Sequence, residues 1–234
     1  MKILVTGGNG FIGSNFIELV LKNSEDVFVV NIDSSTYAGQ GNNLEHMDLD
    51  KNERYKSYDA DITNKKLIDE IFQKERPEVV VNFAAESHVD RSITEPETFI
   101  QTNVLGTFNL LEAARRLDLK KFIQISTDEV YGSLSNESPM SKEGDLLKPR
   151  SPYSASKAAA EQIALSYFHT YGLPVIISRS SNNYGPYQFP EKLIPLFVTN
   201  LIEDKKVTLM YSAENPGSNV RDWLYVKDNC QAIW

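Results

Sequence analysis

The sequence predicts an α/β fold in which helices cover both faces of a doubly wound parallel sheet. Strand-like and helix-like stretches alternate over the first 180 residues, as repeated strand–helix–strand units require. The strand-like stretches are continuously apolar, which is typical of strands buried on both faces. A glycine-rich turn, TGGNGFIGSN, directly follows the first of these strands and opens the first helix.

Each predicted strand is a short apolar or β-branched run, and each predicted helix has apolar residues at helical spacing. Strands are expected at Lys2 to Thr6, Val27 to Asp33, Tyr55 to Tyr58, Val79 to Ala84, Lys121 to Ser126 and Pro174 to Ser178. Helices are expected at Phe11 to Lys22, Lys65 to Lys74, Pro96 to Leu117 and Pro152 to Tyr171. The third helix has a capping pattern, because Thr94 precedes Glu97 by three residues and Pro96 lies in the first turn.

The alternation loosens after residue 180, where Asn, Gly and Pro residues punctuate the chain. We therefore expect a first domain over residues 1–180 and the beginning of a smaller C-terminal substrate domain over residues 181–234. Within the second part, a polar loop is expected from Ser212 to Asn219 and a helix from about Lys227.

Composition limits the classes of function. The 234 residues include 41% hydrophobic and 24% charged residues, which is ordinary for a soluble globular protein. A net charge of -8 disfavours a nucleic-acid-binding protein, whose footprint is a basic patch. Cys230 is the only cysteine, so no intrachain disulfide and no multi-thiolate metal site is expected. No run approaches the roughly 18 apolar residues of a membrane span, and we predict a cytoplasmic location.

The glycine-rich turn predicts a dinucleotide site. Gly7, Gly10 and Gly13 are spaced so that the backbone can turn tightly, approach a pyrophosphate and pack the helix against the strand. Asp33 lies 20 residues beyond Gly13, at the end of the second strand. A carboxylate there accepts hydrogen bonds from ribose hydroxyls and repels a 2′-phosphate, so NAD is favoured over NADP. The alternatives are a tight turn without a ligand and a solvated aspartate.

Further cofactor contacts are expected where the third and fourth strands end, because ligands collect at the carboxyl edge of doubly wound sheets. Asp61 and Ile62 are placed to border an adenine, although a surface turn fits their position equally well. Ala84 and Ala85 are small enough for close approach, but alanine is also ordinary core filler. The full cofactor set is Gly7, Gly10, Phe11, Ile12, Gly13, Asp33, Asp61, Ile62, Phe83, Ala84, Ala85, Tyr153 and Lys157.

A hydroxyl, a phenol and an ammonium form the second constellation. Tyr153 and Lys157 are four residues apart, so on a helix both side chains lie on one face. Tyrosine needs a nearby cation to act as a base near neutral pH. Thr127 is placed to bond a substrate hydroxyl. A YxxxK pair alone is common on helix surfaces, and its functional meaning comes from the glycine-rich turn and Asp33.

Asp128 and Glu129 form the third constellation. In a continuing strand their side chains would point to opposite faces, so both serve one substrate only if the strand ends and the backbone turns. We expect that turn. An acid and a base side by side suit elimination, in which one removes a proton beside a carbonyl and the other protonates the departing hydroxyl. The alternative is a pair of solvated carboxylates.

Taken together, these segments resemble the extended short-chain dehydrogenase/reductase family, and within it the nucleotide-sugar 4,6-dehydratases. The resemblance spans essentially the whole chain and implies a Rossmann domain. Related epimerases share the glycine-rich turn and YxxxK but typically have small residues in place of Asp128 and Glu129. The segments that carry it are TGGNGFIGSN, DSSTYAG, NFAAESHVDRSI, STDEVYG, PYSASKAAAE, RSSNNYGPYQFPEKLIP and NVRDWLYV.

The resemblance implies dehydration of dTDP-glucose to a 4-keto-6-deoxy sugar nucleotide, with NAD as a cofactor that ends each cycle as it began. It implies that Tyr153 takes the proton of the C4 hydroxyl, with Lys157 holding the ribose and stabilising the tyrosinate. Glu129 then removes the proton on C5, and Asp128 protonates the hydroxyl that leaves C6. It also implies a homodimer paired through helices, and a role in deoxysugar biosynthesis such as that of rhamnose.

Substrate contacts are also implied by the resemblance. Arg221 is expected to bind the diphosphate, because a guanidinium pairs geometrically with phosphate oxygens. His46 and His169 match no position of the pattern. The other expected substrate contacts are Ser87, His88, Thr127, Asn182, Glu191, Lys192 and Leu193.

Two features depart from the family's pattern. Relatives carry a short YGDG-like turn before NVRDW, where this chain has the longer YSAENPGS. Relatives also continue for roughly another hundred residues, so part of the substrate domain is expected to be absent from this chain. The alternatives that stay open are a UDP-sugar 4,6-dehydratase, an epimerase or decarboxylase of the same family, and an NAD-binding protein without catalysis.

Overall fold

A six-stranded parallel sheet forms the centre of the computed structural model of the chain, which describes residues 1–35, 39, 42–133, 138–207 and 220–234. The strands lie in the order β3-β2-β1-β4-β5-β6, so the winding direction reverses between β1 and β4. This is the strand order of the doubly wound fold predicted from the sequence, and that prediction is confirmed. The strands are β1 (Lys2–Thr6), β2 (Phe28–Asp33), β3 (Tyr55–Asp59), β4 (Val79–Asn82), β5 (Lys121–Thr127) and β6 (Val175–Ser180).

Helices connect the strands and cover both faces of the sheet. Three of the four predicted helices lie within one residue of their expected bounds. Short 3-10 helices occupy Asn42–Met47, Leu49–Lys51 and Asp128–Tyr131. The other helices are α1 (Phe11–Asn23), α2 (Lys65–Glu75), α3 (Val89–Thr94), α4 (Pro96–Phe99), a π-helical segment (Ile100–Gly106), α5 (Thr107–Ala114), α6 (Pro152–Tyr171), α7 (Leu193–Ile202) and α8 (Val226–Ile233).

The third predicted helix differs in its cap, its interior and its end. Thr94 ends α3, and its hydroxyl donates to the Arg91 carbonyl (3.2 Å), so the predicted Thr94 cap is wrong. The π segment follows α4 and contains Asn103, which is buried there by tertiary contacts. Its amide donates to the Glu86 carbonyl (3.0 Å) and to the Ser156 hydroxyl (2.8 Å). Such contacts between distant segments leave no local pattern in the sequence.

The core has one apolar cluster on each face of the sheet. Alternate residues of β1 supply the two clusters, since Leu4 packs against α2, α5 and α6, whereas Ile3 and Val5 pack against α1 and α8. Phe122 on β5 is fully buried in the first cluster. Burial of such a side chain stabilises the fold by about 1.5–3 kcal/mol. Continuous apolarity in the strands therefore reflects burial on both faces.

The part beyond residue 180 contains a small sheet that was not predicted. In it, β7 (Asn182–Tyr184) pairs in parallel with β8 (Trp223–Tyr225). The helix expected from Lys227 begins at Val226 and packs on α1, with Val226 and Cys230 buried between them. The boundary at residue 180 stays a prediction. The predicted loop from 212 to 219 lies outside the described residues, and in the described ranges no helix has the length and apolarity to cross a membrane.

Candidate active site

A cleft of about 710 Å³ runs along the carboxyl ends of the strands. It brings together every residue that the sequence predicted as a cofactor contact, from Gly7 to Lys157, and all five predicted catalytic residues. The topology explains this convergence, because the segments that follow β1 and β4 run to opposite faces of the sheet at the reversal point and leave a crevice beyond the ends of these paired strands. Their roles in binding and catalysis stay predictions at this stage.

The glycine-rich turn holds the backbones of β1, β4 and α1 in close contact. Gly7 has φ +70°, and a Cβ there would lie 2.7 Å from the Ala84 amide nitrogen. A Cβ on Gly13 would lie 2.2 Å from the Gly7 carbonyl oxygen. Gly10 lines the cleft, and none of the described side chains caps the N-terminus of α1. The first amides of α1 are thus left for an anionic ligand.

Asp33 is held at the end of β2 by backbone amides. Its two carboxylate oxygens accept hydrogen bonds from the amides of Asn9 and Ser35, each at 2.8 Å. Burial raises the pKa of Asp33, these two hydrogen bonds oppose the shift, and the charge of Asp59 adds to it. The carboxylate lines the cleft beside the glycine-rich turn, where ribose hydroxyls of a dinucleotide would lie.

Ser126 is a further residue whose surroundings indicate that a cofactor fits the cleft. Its hydroxyl oxygen is buried at the cleft wall and has no hydrogen-bond partner within the ranges that the structure describes. A buried polar atom without a partner costs about 1–3 kcal/mol, so a ligand group that bonds to it recovers this free energy. Together with the glycine-rich turn and Asp33, Ser126 fits a dinucleotide that extends from β2 to β5.

Tyr153 and Lys157 lie in the first two turns of α6. A reciprocal capping box between Ser151 and Ser154 fixes the start of this helix, with Pro152 in its first turn. The Lys157 ammonium is buried and donates to the Ile125 carbonyl at 2.5 Å. Burial lowers the pKa of Lys157 to about 8, and the charge of Glu161 opposes the shift. The helix therefore presents both side chains to the cleft, as predicted.

The phenol of Tyr153 is harder to ionise than free tyrosine. Burial raises the pKa of Tyr153, and the negative charges of Glu129 and Asp128 raise it further. A hydrogen bond with Thr127 lowers the pKa but does not offset these effects. We expected an ammonium beside the phenol to ease its ionisation, whereas the Lys157 ammonium bonds to a backbone carbonyl. Tyrosinate therefore requires additional positive charge in the cleft.

The predicted turn at Asp128 and Glu129 is confirmed. β5 ends at Thr127, whose hydroxyl oxygen accepts from the Glu129 amide (3.2 Å) and caps the following 3-10 helix. Both carboxylates line the cleft as a result. Burial raises the pKa of Asp128, and burial together with the charge of Asp128 raises that of Glu129, while Arg221 opposes both shifts. The turn therefore makes both carboxylates easier to protonate than free carboxylates.

Most of the predicted substrate contacts line a wall of the same cleft. His88 also has a structural role, because its Nδ1 accepts from the Arg91 amide (3.3 Å) and caps α3. Its Nε2 lies 3.7 Å from the Glu191 carboxylate. Arg221 is exposed and is not among the lining residues, although its charge acts on Asp128 and Glu129. The residues that line this wall are Ser87, His88, Asn182, Glu191, Lys192 and Leu193.

Several cleft residues were not predicted, among them Thr98, Thr102 and Gln188. Thr98 and Thr102 line the cleft from one face of the helix that runs through α4 and the π segment. Their spacing of four residues was a signal available in the sequence. Gln188 also lines the cleft, and its carbonyl oxygen has no partner within the described ranges, although its amide donates to the Asn183 carbonyl (2.9 Å). A lone glutamine in a loop carries no such signal.

The cleft and its residues have close counterparts among known proteins. A dTDP-glucose 4,6-dehydratase of Salmonella typhimurium is 47% identical over 251 residues, which cover 100% of this chain and 67% of the relative. A double mutant of DesIV, a dTDP-glucose 4,6-dehydratase of Streptomyces venezuelae, has been solved with NAD bound. It superposes with a TM-score of 0.91 and 43% identity, covering 100% of this chain and 70% of that one.

A UDP-glucose 4-epimerase of Thermus thermophilus, in complex with NAD, is similar at 32% identity with a TM-score of 0.85, over 100% of this chain and 73% of that one. The chain thus spans about two thirds of the length of the Salmonella relative. The family model described as GDP-mannose 4,6 dehydratase matches residues 4–234. The resemblance stated from the motifs is confirmed, and the chain belongs to the GDP-mannose 4,6 dehydratase family.

Proposed function

We propose that the chain dehydrates dTDP-glucose to dTDP-4-keto-6-deoxy-glucose with NAD bound in the cleft. The observation that carries the proposal is the turn at Asp128 and Glu129, which opens beside Tyr153 and into the same cleft as the glycine-rich turn. An oxidation site alone has no use for this pair of carboxylates. The Salmonella and Streptomyces relatives, both named dTDP-glucose 4,6-dehydratases, support the same substrate.

In the first step Tyr153 receives the proton of the C4 hydroxyl. NAD, when bound, supplies a hydride acceptor that is regenerated in each cycle, and the charge of its nicotinamide offsets the burial that disfavours tyrosinate. The Thr127 hydroxyl bonds to the phenol and stabilises its ionised form. Lys157 adds a buried positive charge one helical turn away. These groups make the C4 ketone that the next step requires.

In the second step Glu129 removes the C5 proton, which the neighbouring ketone has made acidic. Asp128 gives its proton to the hydroxyl that leaves C6, so that one water departs and a carbon–carbon double bond forms. Burial keeps both carboxylates easier to protonate than in water, which suits Asp128 as the acid. Return of the hydride to C6, with a proton to C5, completes the 6-deoxy sugar.

The direct test is incubation of the protein with dTDP-glucose and NAD, with product mass measured by mass spectrometry. We expect a product lighter by one water. UDP-glucose run in parallel separates a UDP-sugar dehydratase from the proposed enzyme. A sugar epimerised without a change in mass would support the epimerase alternative, which the likeness to the Thermus epimerase keeps open. NAD binding without any conversion would overturn the proposal in favour of a binding protein.

We also propose that the protein is a cytoplasmic homodimer that acts in deoxysugar biosynthesis, such as the synthesis of rhamnose. Large apolar side chains stay exposed on the two helical stretches expected to pair, as an interface between two copies would require. We expect Phe108→Glu to convert a dimer to a monomer in light scattering coupled to size exclusion. A wild-type monomer would exclude the homodimer. The exposed side chains are Ile100, Leu105, Phe108, Phe168 and Tyr171.

A further inference from the structure

A buried ion pair lies one helical turn behind Lys157. Glu161 follows Lys157 by four residues on α6, so the two side chains share a face. The Glu161 carboxylate is fully buried and accepts from two donor groups of Arg179 on β6, from Nε at 3.1 and 3.0 Å and from Nη2 at 2.7 Å. Desolvation offsets much of the attraction in such a pair, so its value for stability is small. The proposed chemistry uses neither residue.

The same guanidinium also contacts the turn that carries the acid and the base. Its Nη1 donates to the Tyr131 hydroxyl (2.7 Å) and to the Glu143 carbonyl (3.0 Å). The guanidinium carbon lies 5.0 Å from the centre of the Tyr131 ring, which is a cation–π distance. Tyr131 is the last residue of the 3-10 helix that begins with Asp128 and Glu129. Arg179 therefore fixes the far end of that helix.

Strand pairing fixes the backbone of Arg179 as well. In the β5–β6 ladder Arg179 pairs with Ser126, the residue before Thr127. Arg179 thus contacts three places: the residue before the acid–base turn through strand pairing, the end of that turn through Tyr131, and the interior of α6 through Glu161. Such a fully paired charged network holds its members in a single arrangement.

We infer that Glu161, Arg179 and Tyr131 form a brace that positions the catalytic residues of both the oxidation step and the elimination step. Glu161 acts through Lys157 in the oxidation step, and Tyr131 acts through the turn with Asp128 and Glu129 in the elimination step. The inference rests on the proposed function and assigns positioning roles to all three residues. The Glu161 charge also opposes the lowering of the Lys157 pKa by burial, in agreement with its place behind the ammonium.

The brace predicts that its two ends act on different steps. Tyr131→Phe keeps the ring over the guanidinium but removes the hydroxyl that it bonds. We expect elimination to slow about tenfold while oxidation is unchanged, because one hydrogen bond to a charged group is lost. Reduced nicotinamide then accumulates during turnover. Glu161→Gln acts at the other end, and we expect slower oxidation with less reduced nicotinamide than in the wild-type protein.

The readout is stopped-flow absorbance of reduced nicotinamide with dTDP-glucose, together with the rate of product formation. Tyr58→Phe is the matched control, because the Tyr58 hydroxyl also bonds a buried charged residue, Glu75 (2.5 Å). Tyr58 lies on β3, at the far edge of the sheet from Arg179 on β6. We expect the control to have a wild-type trace. Thermal melting checks that each variant is folded, and if Glu161→Gln fails to fold, Tyr131→Phe decides alone.

Three outcomes separate the inference from the function on which it rests. Opposite changes in reduced nicotinamide for the two variants support the brace. A uniform fall in rate without a change in that absorbance indicates a merely structural role and overturns the brace, as does a wild-type trace in both variants. A wild-type protein that converts no dTDP-glucose overturns the proposed function and the brace together.

Discussion

The two halves of the cleft are built by different means. The cofactor half lies at the ends of β1, β2 and β4 and includes the Asp33 carboxylate and the glycine-rich turn, in which Gly7 and Gly13 have no room for a side chain. The acid–base half consists of ionisable side chains on a short turn and on α6, and the pKa of each is displaced from its ordinary value. Packing therefore fixes the first half, whereas electrostatics and hydrogen bonds fix the second. Changes in one half are expected to alter cofactor affinity, and changes in the other to alter individual steps.

The largest expected effect comes from removing the acid and the base together. In the variant Asp128→Asn with Glu129→Gln, we expect product formation to fall by about 10⁴-fold or more, because each group contributes about 10²–10⁴ as a general acid or base. Hydride transfer still occurs, since Tyr153 and the cofactor half are unchanged. Reduced nicotinamide should accumulate in an absorbance assay. Formation of product at the wild-type rate would contradict the roles of both carboxylates.

Removal of the Tyr153 phenol should stop the reaction at the oxidation step, before the elimination by Asp128 and Glu129 can begin. Tyr153→Phe lacks the group that accepts the C4 proton, and we expect a loss of about 10³-fold in kcat with no accumulation of reduced nicotinamide. The affinity for NAD, measured by calorimetry, should stay within a few-fold of wild type because the glycine-rich turn is intact. A variant that still reduces the cofactor rapidly would show that another group is the base.

A change of one methyl group tests the cofactor half. Gly13→Ala places a Cβ 2.2 Å from the Gly7 carbonyl oxygen, so the turn must open. Overpacking of this kind costs about 1–3 kcal/mol, and we expect the Kd for NAD to rise by about 10–100-fold. Gly144→Ala is the control, because no atom lies within 4 Å of its added Cβ. Equal affinities in the two variants would contradict the close packing of the turn.

The two halves also differed in how far the sequence predicted them. The cofactor half was predicted almost completely, because apolar strands, glycine spacing and Asp33 at a strand end are local signals. The turn after Thr127 was expected because Asp128 and Glu129 could serve one substrate only if the strand ended there, and the structure confirms it. These parts need no knowledge of which distant residues meet.

The features that were missed depend on contacts between distant segments. Asn103 in the π segment bonds to Glu86 and Ser156, and nothing near it in the sequence indicates those partners. Arg179 and Glu161 are 18 residues apart on a strand and a helix, so their pairing follows only from the fold. The Lys157 ammonium was expected to ease ionisation of the phenol, whereas in the structure it is buried and donates to the Ile125 carbonyl. Local pattern therefore predicts backbone sites better than side-chain networks.

The smallest expected effect concerns Lys157, which lies between the two halves. Its pKa is lowered to about 8 in the folded protein, so between pH 8 and its ordinary pKa the folded state has lost a proton that the unfolded chain keeps. The unfolded state binds more protons in this window, and the free energy of unfolding gains a positive contribution as pH rises, of about 1 kcal/mol per pH unit. Lys157→Met lacks this contribution. Its stability advantage over wild type, measured by urea denaturation, should therefore shrink from pH 8 to pH 10. A difference between Lys157→Met and wild type that stays constant over this pH range would show that Lys157 keeps its proton when buried.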